Sequence, residues 1–296
     1  MSSLKFTAGA GGQSVIVRGL DFTSVPKRAK PITCAECTLG PNGLALREIK
    51  RLESFQQFEA LIPEPGVWVA GFDFPFGQSK KLISNLGWPP DWSEYVGLVG
   101  LMKREEFVQL LNEYKEHRLK GDKEHRRATD VQARSVRPQK LNGVPVGKMF
   151  FEGAPRILRS GANIIPVRPR DDPRVFLEAY PKLVAKRWSG GSYKVGKARE
   201  DTKDRKAARQ RIIEGLRSRE CEETYGFSTV FDDQLARRML DDFSADELDA
   251  FLCAIQAAWA HIQRSGSYGV PDDVEAANLE GWIVDPSQLG VPRGTR

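Results

Sequence analysis

The chain has 296 residues, 40% hydrophobic and 28% charged, which is an ordinary composition for a globular protein with a substantial core. It contains no run of about 18 apolar residues, so we expect no membrane-spanning helix. The first residues lack the charged head and apolar stretch of a secretion signal. Four cysteines are too few for a disulfide framework, and we expect a reducing, cytoplasmic location.

The net charge of +6 is unevenly distributed along the chain. Residues 182–219 contain 13 Lys and Arg against 4 Asp and Glu, whereas residues 220–250 contain 10 Asp and Glu against 2 Arg. A basic segment beside an acidic one fits a phosphate-binding surface next to a metal site. Two solvated, charged helices would give the same pattern, and on charge alone that is the stronger interpretation.

The first quarter of the chain alternates between strand and helix patterns. Apolar, β-branched runs predict strands over 14–21, 32–39 and 44–52, and the GPNG sequence between the last two predicts a hairpin turn. Ser54 begins a short amphipathic helix, and VWVAGFD at 67–73 predicts a buried strand. Three strands, a helix and a further strand indicate a mixed α/β sheet.

The pattern becomes less regular over residues 77–170, which contain a charged helix near 103–120 and a basic loop with prolines. We expect an insertion or helical subdomain here, between two parts of one core at 1–76 and 171–296. Beyond it the sequence predicts a strand over 175–180, helices over 199–219, 233–242 and 244–264, and a Pro/Gly-rich, disordered end after the apolar GWIV sequence.

Asp21 and Asp73 stand in the same sequence context. Each ends an apolar strand and is followed by Phe, in GLDFT and GFDFP. Ligand sites in α/β sheets gather beyond the carboxyl ends of parallel strands. Two carboxylates there would repel each other unless a cation such as Mg²⁺ or Mn²⁺ lay between them. Asp is also a common turn former, which is the stronger interpretation for one Asp alone, and the repeated context reduces that preference.

A third acidic element is the predicted helix SADELDAFLCAIQAAWA. Ser244 and Glu247 match a capping box that would start this helix. Asp246 and Asp249 are three residues apart and would share a face. The small residues that follow would let the helix pack close to the sheet and bring Asp249 to a strand end. Asp246 has an equally good alternative role, because acids in a first turn stabilise the helix dipole.

Glu178, in LEAYPKL, lies near the end of another predicted strand. Three roles fit this position: a further metal ligand, a group that orients a ligand, or a buried acid paired with arginine. The residues alone leave the choice open.

Five motifs in order, GLDFT, FDFPFG, LEAYPKL, DELDAFLCAI and EGWI, resemble a family of uncharacterised proteins described as RNase H-like nucleases. The resemblance covers residues 14–75 and 175–286. It implies an α/β fold, an RNase H-like mixed sheet flanked by helices, with a large and partly helical insertion.

The resemblance also implies a site. RNase H-like nucleases place one acid on the first strand, one at the end of the fourth and one or two on a late helix. Holliday-junction resolvases of that superfamily use two helix acids three residues apart. By this resemblance Asp21, Asp73, Asp246 and Asp249 are catalytic metal ligands, and Glu178 is a further catalytic candidate. Several such enzymes have Glu where this chain has Asp73, so its shorter side chain must bring the metal closer to the strand.

The implied activity is that of a metal-dependent nuclease or nucleic-acid processing enzyme. Two metal ions about 4 Å apart would activate water, hold the scissile phosphate and stabilise the departing 3′ oxygen. This chemistry needs no protein nucleophile, and the three histidines show no ligand spacing. His125 lies in a basic loop and would be able to assist a leaving group, although a solvated loop histidine is the simpler interpretation.

Other signals are weaker. Cys34 and Cys37 form a CxxC without a second pair, so two ordinary buried cysteines fit better than a zinc site. Trp88, Trp92 and Tyr95 would stack on bases or, as we prefer, cover a small core of the insertion. The expected phosphate-tracking residues, interleaved with aromatics and glycines, are Lys186, Arg187, Lys194, Lys197 and Arg199.

Two alternatives stay open. One is a catalytically inactive nucleic-acid-binding or scaffold protein on the same fold. The other is a small-molecule phosphotransferase of the actin/sugar-kinase type, which needs glycine-rich phosphate loops after its first and fourth strands. Here phenylalanine follows the acid at both positions, which counts against the phosphotransferase.

Overall fold

The computed structural model describes residues 14–272 and 274–289, so the Pro/Gly-rich end expected to be disordered lies largely outside the described residues. Within these residues, seven strands form one sheet in the order β5-β6-β4-β1-β2-β3-β7. Strands β1 to β3 form an antiparallel meander, and the other neighbouring strands pair in parallel. The strands are β1 (Val15–Asp21), β2 (Ile32–Gly40), β3 (Gly43–Leu52), β4 (Trp68–Phe72), β5 (Asn163–Ile165), β6 (Arg174–Glu178) and β7 (Thr229–Val230).

Helices cover both faces of this sheet. They are α1 (Phe55–Leu61), α2 (Lys80–Asn85), α3 (Trp92–Leu101), α4 (Arg104–Glu116), α5 (Ala128–Ala133), α6 (Val146–Arg159), α7 (Lys182–Ala185), α8 (Lys203–Leu216), α9 (Arg219–Tyr225), α10 (Asp233–Asp241), α11 (Asp246–Ile262) and α12 (Ala277–Glu280). The mixed α/β architecture is therefore the expected one and is compatible with an RNase H-like fold. The helix expected over 199–219 is shorter, because α8 covers Lys203–Leu216 and Ser218 then caps a new helix, α9, through its side chain.

The alternation of side chains along each strand divides the core in two. Val17 of β1 joins the cluster formed with α8 to α11, whereas Leu20 joins the cluster on the opposite face with α1, α3, α4 and α6. The region 77–170 supplies most of that second helical layer. Its strand β5 also extends the sheet beside β6.

The aromatic residues after FDFPFG lie inside the second cluster. Trp92 and Tyr95 are fully buried on α3. The ring of Trp88 stacks on that of Tyr95, with centroids 5.9 Å apart. They therefore serve the packing of this region, as preferred from the sequence. None of the helices in the described part of the chain has both the length and the apolarity needed to cross a membrane.

Candidate metal and nucleic-acid site

Asp21 and Asp73 leave the sheet side by side. Strands β1 and β4 are parallel, with Leu20 paired to Phe72. The backbone N–H of Asp73 donates to the Leu20 carbonyl over 2.9 Å, which continues this pairing to the two acids. Both follow a residue that faces away from α11, so by strand alternation both carboxylates lie on the α11 side of the sheet.

Helix α11 reaches these acids because glycines on the strands let its backbone approach. A Cβ atom on Gly19 would lie 2.0 Å from the Ala250 carbonyl oxygen, and one on Gly71 would lie 2.5 Å from the Cys253 carbonyl oxygen. Each glycine stands two positions before an acid and on the same face of its strand. The small residues of α11 were recognised in the sequence, but the equally informative glycines in GLDFT and GFDFP were missed.

The start of α11 differs from the predicted capping box. Ala245 occupies the N-cap position with a left-handed backbone at φ 57°. The Asp242 carboxylate accepts from the Ser244 hydroxyl over 2.6 Å and from the Glu247 N–H over 3.0 Å. Glu247 pairs with Arg238 instead of capping the helix. The predicted Ser244–Glu247 box is therefore wrong, because the preceding Asp242 satisfies the free donors.

Two lysines lie among the four acids. Lys30, in the loop between β1 and β2, contacts the Asp246 carboxylate over 2.5 Å. Lys194 forms an ion pair with Asp249, which also accepts from the Tyr193 hydroxyl over 2.7 Å. With these ion pairs in place, no three His, Cys, Asp or Glu side chains of the described residues are arranged to hold a metal ion.

The four clustered acids nevertheless outnumber the two lysines that pair with them. Burial, and next the charge of Asp246, raise the pKa of Asp21 well above its usual value. Burial likewise raises the pKa of Asp73 to about 7, against the attraction of Lys194. Among the described residues, the buried Oδ2 atom of Asp21 has no hydrogen-bond partner. A buried, unpaired carboxylate oxygen in such a cluster favours a bound cation.

Glu178 lies at the same edge of the sheet but on the other face. Its β6 position pairs with Phe72, one residue before Asp73. Its carboxylate accepts from both terminal nitrogens of Arg127, over 2.6 and 2.8 Å, and from the Phe76 N–H over 2.9 Å. Arg127 also pairs with Asp130. Of the three roles considered, this is a buried acid paired with arginine. The face on which Glu178 lies is set by its register with Phe72, which the sequence alone does not give.

The Glu178–Arg127 pair also holds the EGWI motif. Arg127 donates to the Glu280 carbonyl over 3.0 Å, and the Val284 N–H donates to the Glu178 carbonyl over 2.9 Å. Gly281 has a φ of 84°, and a Cβ atom there would lie 2.8 Å from Glu178 Oε2. EGWI therefore acts as a structural connection between the end of β6 and the 77–170 region.

The proposed phosphate-tracking residues separate into three groups. Lys186 and Lys194 line a cavity that adjoins Asp73. Arg187 turns to the Tyr225 ring, 5.6 Å from its centroid. Lys197 and Arg199 are exposed, at a short 3-10 turn.

Buried Arg209 fixes this basic loop. Its guanidinium donates to the Tyr193 carbonyl over 2.9 Å and pairs with Asp201 over 2.7 Å. Elsewhere the basic and acidic segments pair with each other, through Lys206–Asp241 and Arg217–Asp233 for example. Part of the basic segment is therefore a charged helical surface, as the simpler interpretation of its charge predicted.

The remaining candidates are structural. Cys34 and Cys37 are free, buried and on opposite faces of the sheet. The expectation that His125 is solvated is wrong. It is 8% exposed, and its Nε2 lies 2.6 Å from the Tyr114 hydroxyl.

The comparisons with known proteins identify a family. Neither a curated protein nor a solved structure matches the chain. A family model described as "Protein of unknown function (DUF429)" matches residues 19–276, a range that includes all four clustered aspartates. Since the match extends over most of the 296 residues, the chain belongs to the DUF429 family.

Proposed function

We propose that this protein is a nuclease that hydrolyses phosphodiester bonds of nucleic acid with the help of Mg²⁺ or Mn²⁺. The observation that carries the proposal is the convergence of Asp21, Asp73, Asp246 and Asp249 at one edge of the sheet, with a buried oxygen of Asp21 unpaired. Carboxylate oxygens are the ligands that hard divalent cations prefer.

The donor set fits a divalent cation chemically. Asp21, Asp73 and Asp249 would hold it, with Asp246 as a fourth acid. Lys30 and Lys194 would have to withdraw from their carboxylates, and their side chains are 45% and 46% exposed, so each has room to move into solvent. When bound, such a cation lowers the pKa of a water ligand and stabilises charge on phosphate oxygens.

The residues of the chain would then position the phosphate and the acids. The Tyr193 hydroxyl holds one oxygen of Asp249, and buried Arg209 holds the backbone of Tyr193. Lys30 and Lys194, once released from their carboxylates, would be free to contact phosphate oxygens on either side of the scissile bond. Neither lysine needs to exchange a proton in this role.

A cleavage assay tests the proposal. Labelled single-stranded and duplex DNA and RNA are incubated with the protein in Mg²⁺, in Mn²⁺ and in EDTA. We expect cleavage with metal, none in EDTA, and a loss of at least 100-fold in rate for Asp249→Asn. The absence of cleavage of every substrate with both metals would contradict the proposal.

One observation supports a second candidate. The ion pairs of Lys30 with Asp246 and of Lys194 with Asp249 already neutralise half of the four acids. That arrangement suits a catalytically inactive nucleic-acid-binding protein on the same fold. Such a protein would bind nucleic acid without cutting it, and Mg²⁺ would leave both its affinity and its melting temperature unchanged.

A further inference from the structure

We infer that the cavity beside Asp73 holds one unpaired nucleotide of the substrate, with its phosphate at the acids and its base between β6 and the 77–170 region. This inference names the substrate class of the proposed nuclease site and therefore rests on the proposed function.

The cavity and the acid site are continuous. The cavity has a volume of about 660 Å³, and its lining includes Asp73, Tyr193 and Lys194, which also belong to the acid site. A phosphate held at Asp73 would thus have its adjoining nucleoside at the cavity. The volume lies inside the range of about 300–1,000 Å³ that is typical of pockets for small molecules.

One wall of the cavity is apolar. Val136, Val144, Val146 and Met149, all from the 77–170 region, line it, and Ile283 of the EGWI motif adds to it. Such a wall suits the flat face of a nucleobase, which loses little hydration there.

Tyr180, half-buried just beyond β6, also lines the cavity. Aromatic side chains stack on bases irrespective of sequence. The pocket would therefore accept any base.

Other residues of the lining carry positive charge. Lys182 and Lys186 are exposed and line the cavity with Lys194. The carboxylates of Asp130 and Glu178 also line it, but Arg127 pairs with both. A lining that combines apolar side chains with ammonium groups matches a nucleotide, which is apolar at its base and anionic at its phosphate.

The geometry limits the substrate. A base can enter such a cavity only after it leaves its stack and its pairing partner, which costs free energy in an intact duplex. Single strands and unpaired nucleotides avoid that cost. The expected substrates are therefore single-stranded nucleic acids, or duplexes with unpaired positions.

A binding experiment with matched variants tests the cavity directly. Val144 is 55% exposed and lines the cavity, so Val144→Trp fills the cavity with little effect on folding. The control is Val131→Trp, because Val131 is 60% exposed on α5 and does not line the cavity. Each protein is titrated with the four nucleoside 5′-monophosphates, with the corresponding nucleosides and with inorganic phosphate, in Mg²⁺ and in EDTA.

We expect the monophosphates to bind the wild type and the control at least tenfold more tightly than inorganic phosphate. Val144→Trp should lose at least tenfold of that affinity at an unchanged melting temperature. Equal binding to both Trp variants, no nucleotide binding to the wild type, or equal affinity for nucleotide and inorganic phosphate would each overturn the inference.

Cleavage rates separate this inference from the function on which it rests. We expect a single strand to be cleaved at least tenfold faster than a fully paired duplex of the same sequence. This result supports the inference if Val144→Trp removes the difference in rate. Equal cleavage of both substrates overturns the inference but leaves the nuclease intact. If the wild type binds nucleotide, Val144→Trp abolishes that binding and no substrate is cleaved, the nuclease function is refuted but the nucleotide pocket is not.

Discussion

Gly19 lies so close to Ala250 that a Cβ atom on the glycine would be 2.0 Å from the alanine carbonyl oxygen. This contact sets the distance between β1 and α11, and so the approach of Asp249 to Asp21. The acid cluster thus depends on a strand position that carries no chemistry of its own.

The first prediction follows from that contact. Gly19→Ala should push α11 away from the sheet and lower the free energy of unfolding by about 3 kcal/mol, since overpacking a close-packed core costs about 1–3 kcal/mol or more. Urea denaturation measures this free energy of unfolding. Gly97→Ala is the control, because a Cβ there, on helix α3, meets nothing within 4 Å. Gly97→Ala should leave the free energy of unfolding unchanged or raise it slightly. Equal changes in the free energy of unfolding for the two variants would contradict close packing at Gly19.

The second prediction concerns Asp73. Asp73→Asn should abolish Mg²⁺- or Mn²⁺-dependent cleavage and leave the metal-free protein as stable as the wild type, or more so. The wild type should melt at higher temperature with metal, because metal binds only the folded state, and the mutant should show much less of this shift. Differential scanning fluorimetry with and without Mg²⁺ measures both effects.

The sign of the pH dependence follows from the raised pKa of Asp73. Folding raises it from 3.8 to about 7, so the folded state binds more protons between these values. This group therefore makes the metal-free wild type less stable as pH rises through that window. The Asp73→Asn variant should therefore become more stable relative to the wild type as pH rises to 7. A variant that is less stable than the wild type at pH 7 would indicate that Asp73 has a structural role.

The third prediction separates Glu178 from the clustered aspartates. Glu178→Gln leaves the buried Arg127 with one carboxylate, that of Asp130, instead of two. We expect a loss of about 3 kcal/mol in the free energy of unfolding, because breaking a buried ion pair costs about 3–5 kcal/mol. The metal-induced rise in melting temperature should persist in this mutant. Normal stability with a lost metal response would instead make Glu178 a ligand.

The sequence predicted most of the sheet and the acids that share its edge, because apolar strand patterns and repeated motifs are local features. It failed where contacts join distant segments. Lys30 reaches the acids from a loop without a distinctive motif, and Tyr193 reaches them from the basic loop that was expected to contact phosphate. The side of the sheet on which Glu178 lies depends on its register with Phe72, which only the folded sheet reveals.

The capping box failed for a related reason. The S-x-x-E pattern at Ser244 is a correct local signal, but Asp242 competes for the same backbone and hydroxyl donors. The basic segment could be located in the sequence, but its residues could not be separated into those that are free and those that pair with acids. Their pairing with Asp233 and Asp241 depends on how α8 and α10 pack together. Composition alone therefore could not separate the residues that line the cavity from those of a charged helical surface.

The last prediction uses that division of the basic segment. Lys186 lines the cavity, whereas Lys206, on α8, pairs with Asp241 away from that lining. Lys186→Glu should weaken binding of a single-stranded oligonucleotide and reduce the slope of log K against log salt by about 0.7, the value for one lost phosphate contact. Lys206→Glu should change neither the affinity nor the slope by a comparable amount. Fluorescence anisotropy between about 50 and 200 mM salt covers the range in which counterion release is large. Equal losses of affinity in the two variants would mean that the basic segment binds nucleic acid as a whole. Binding that does not depend on salt would show that these lysines make no phosphate contacts.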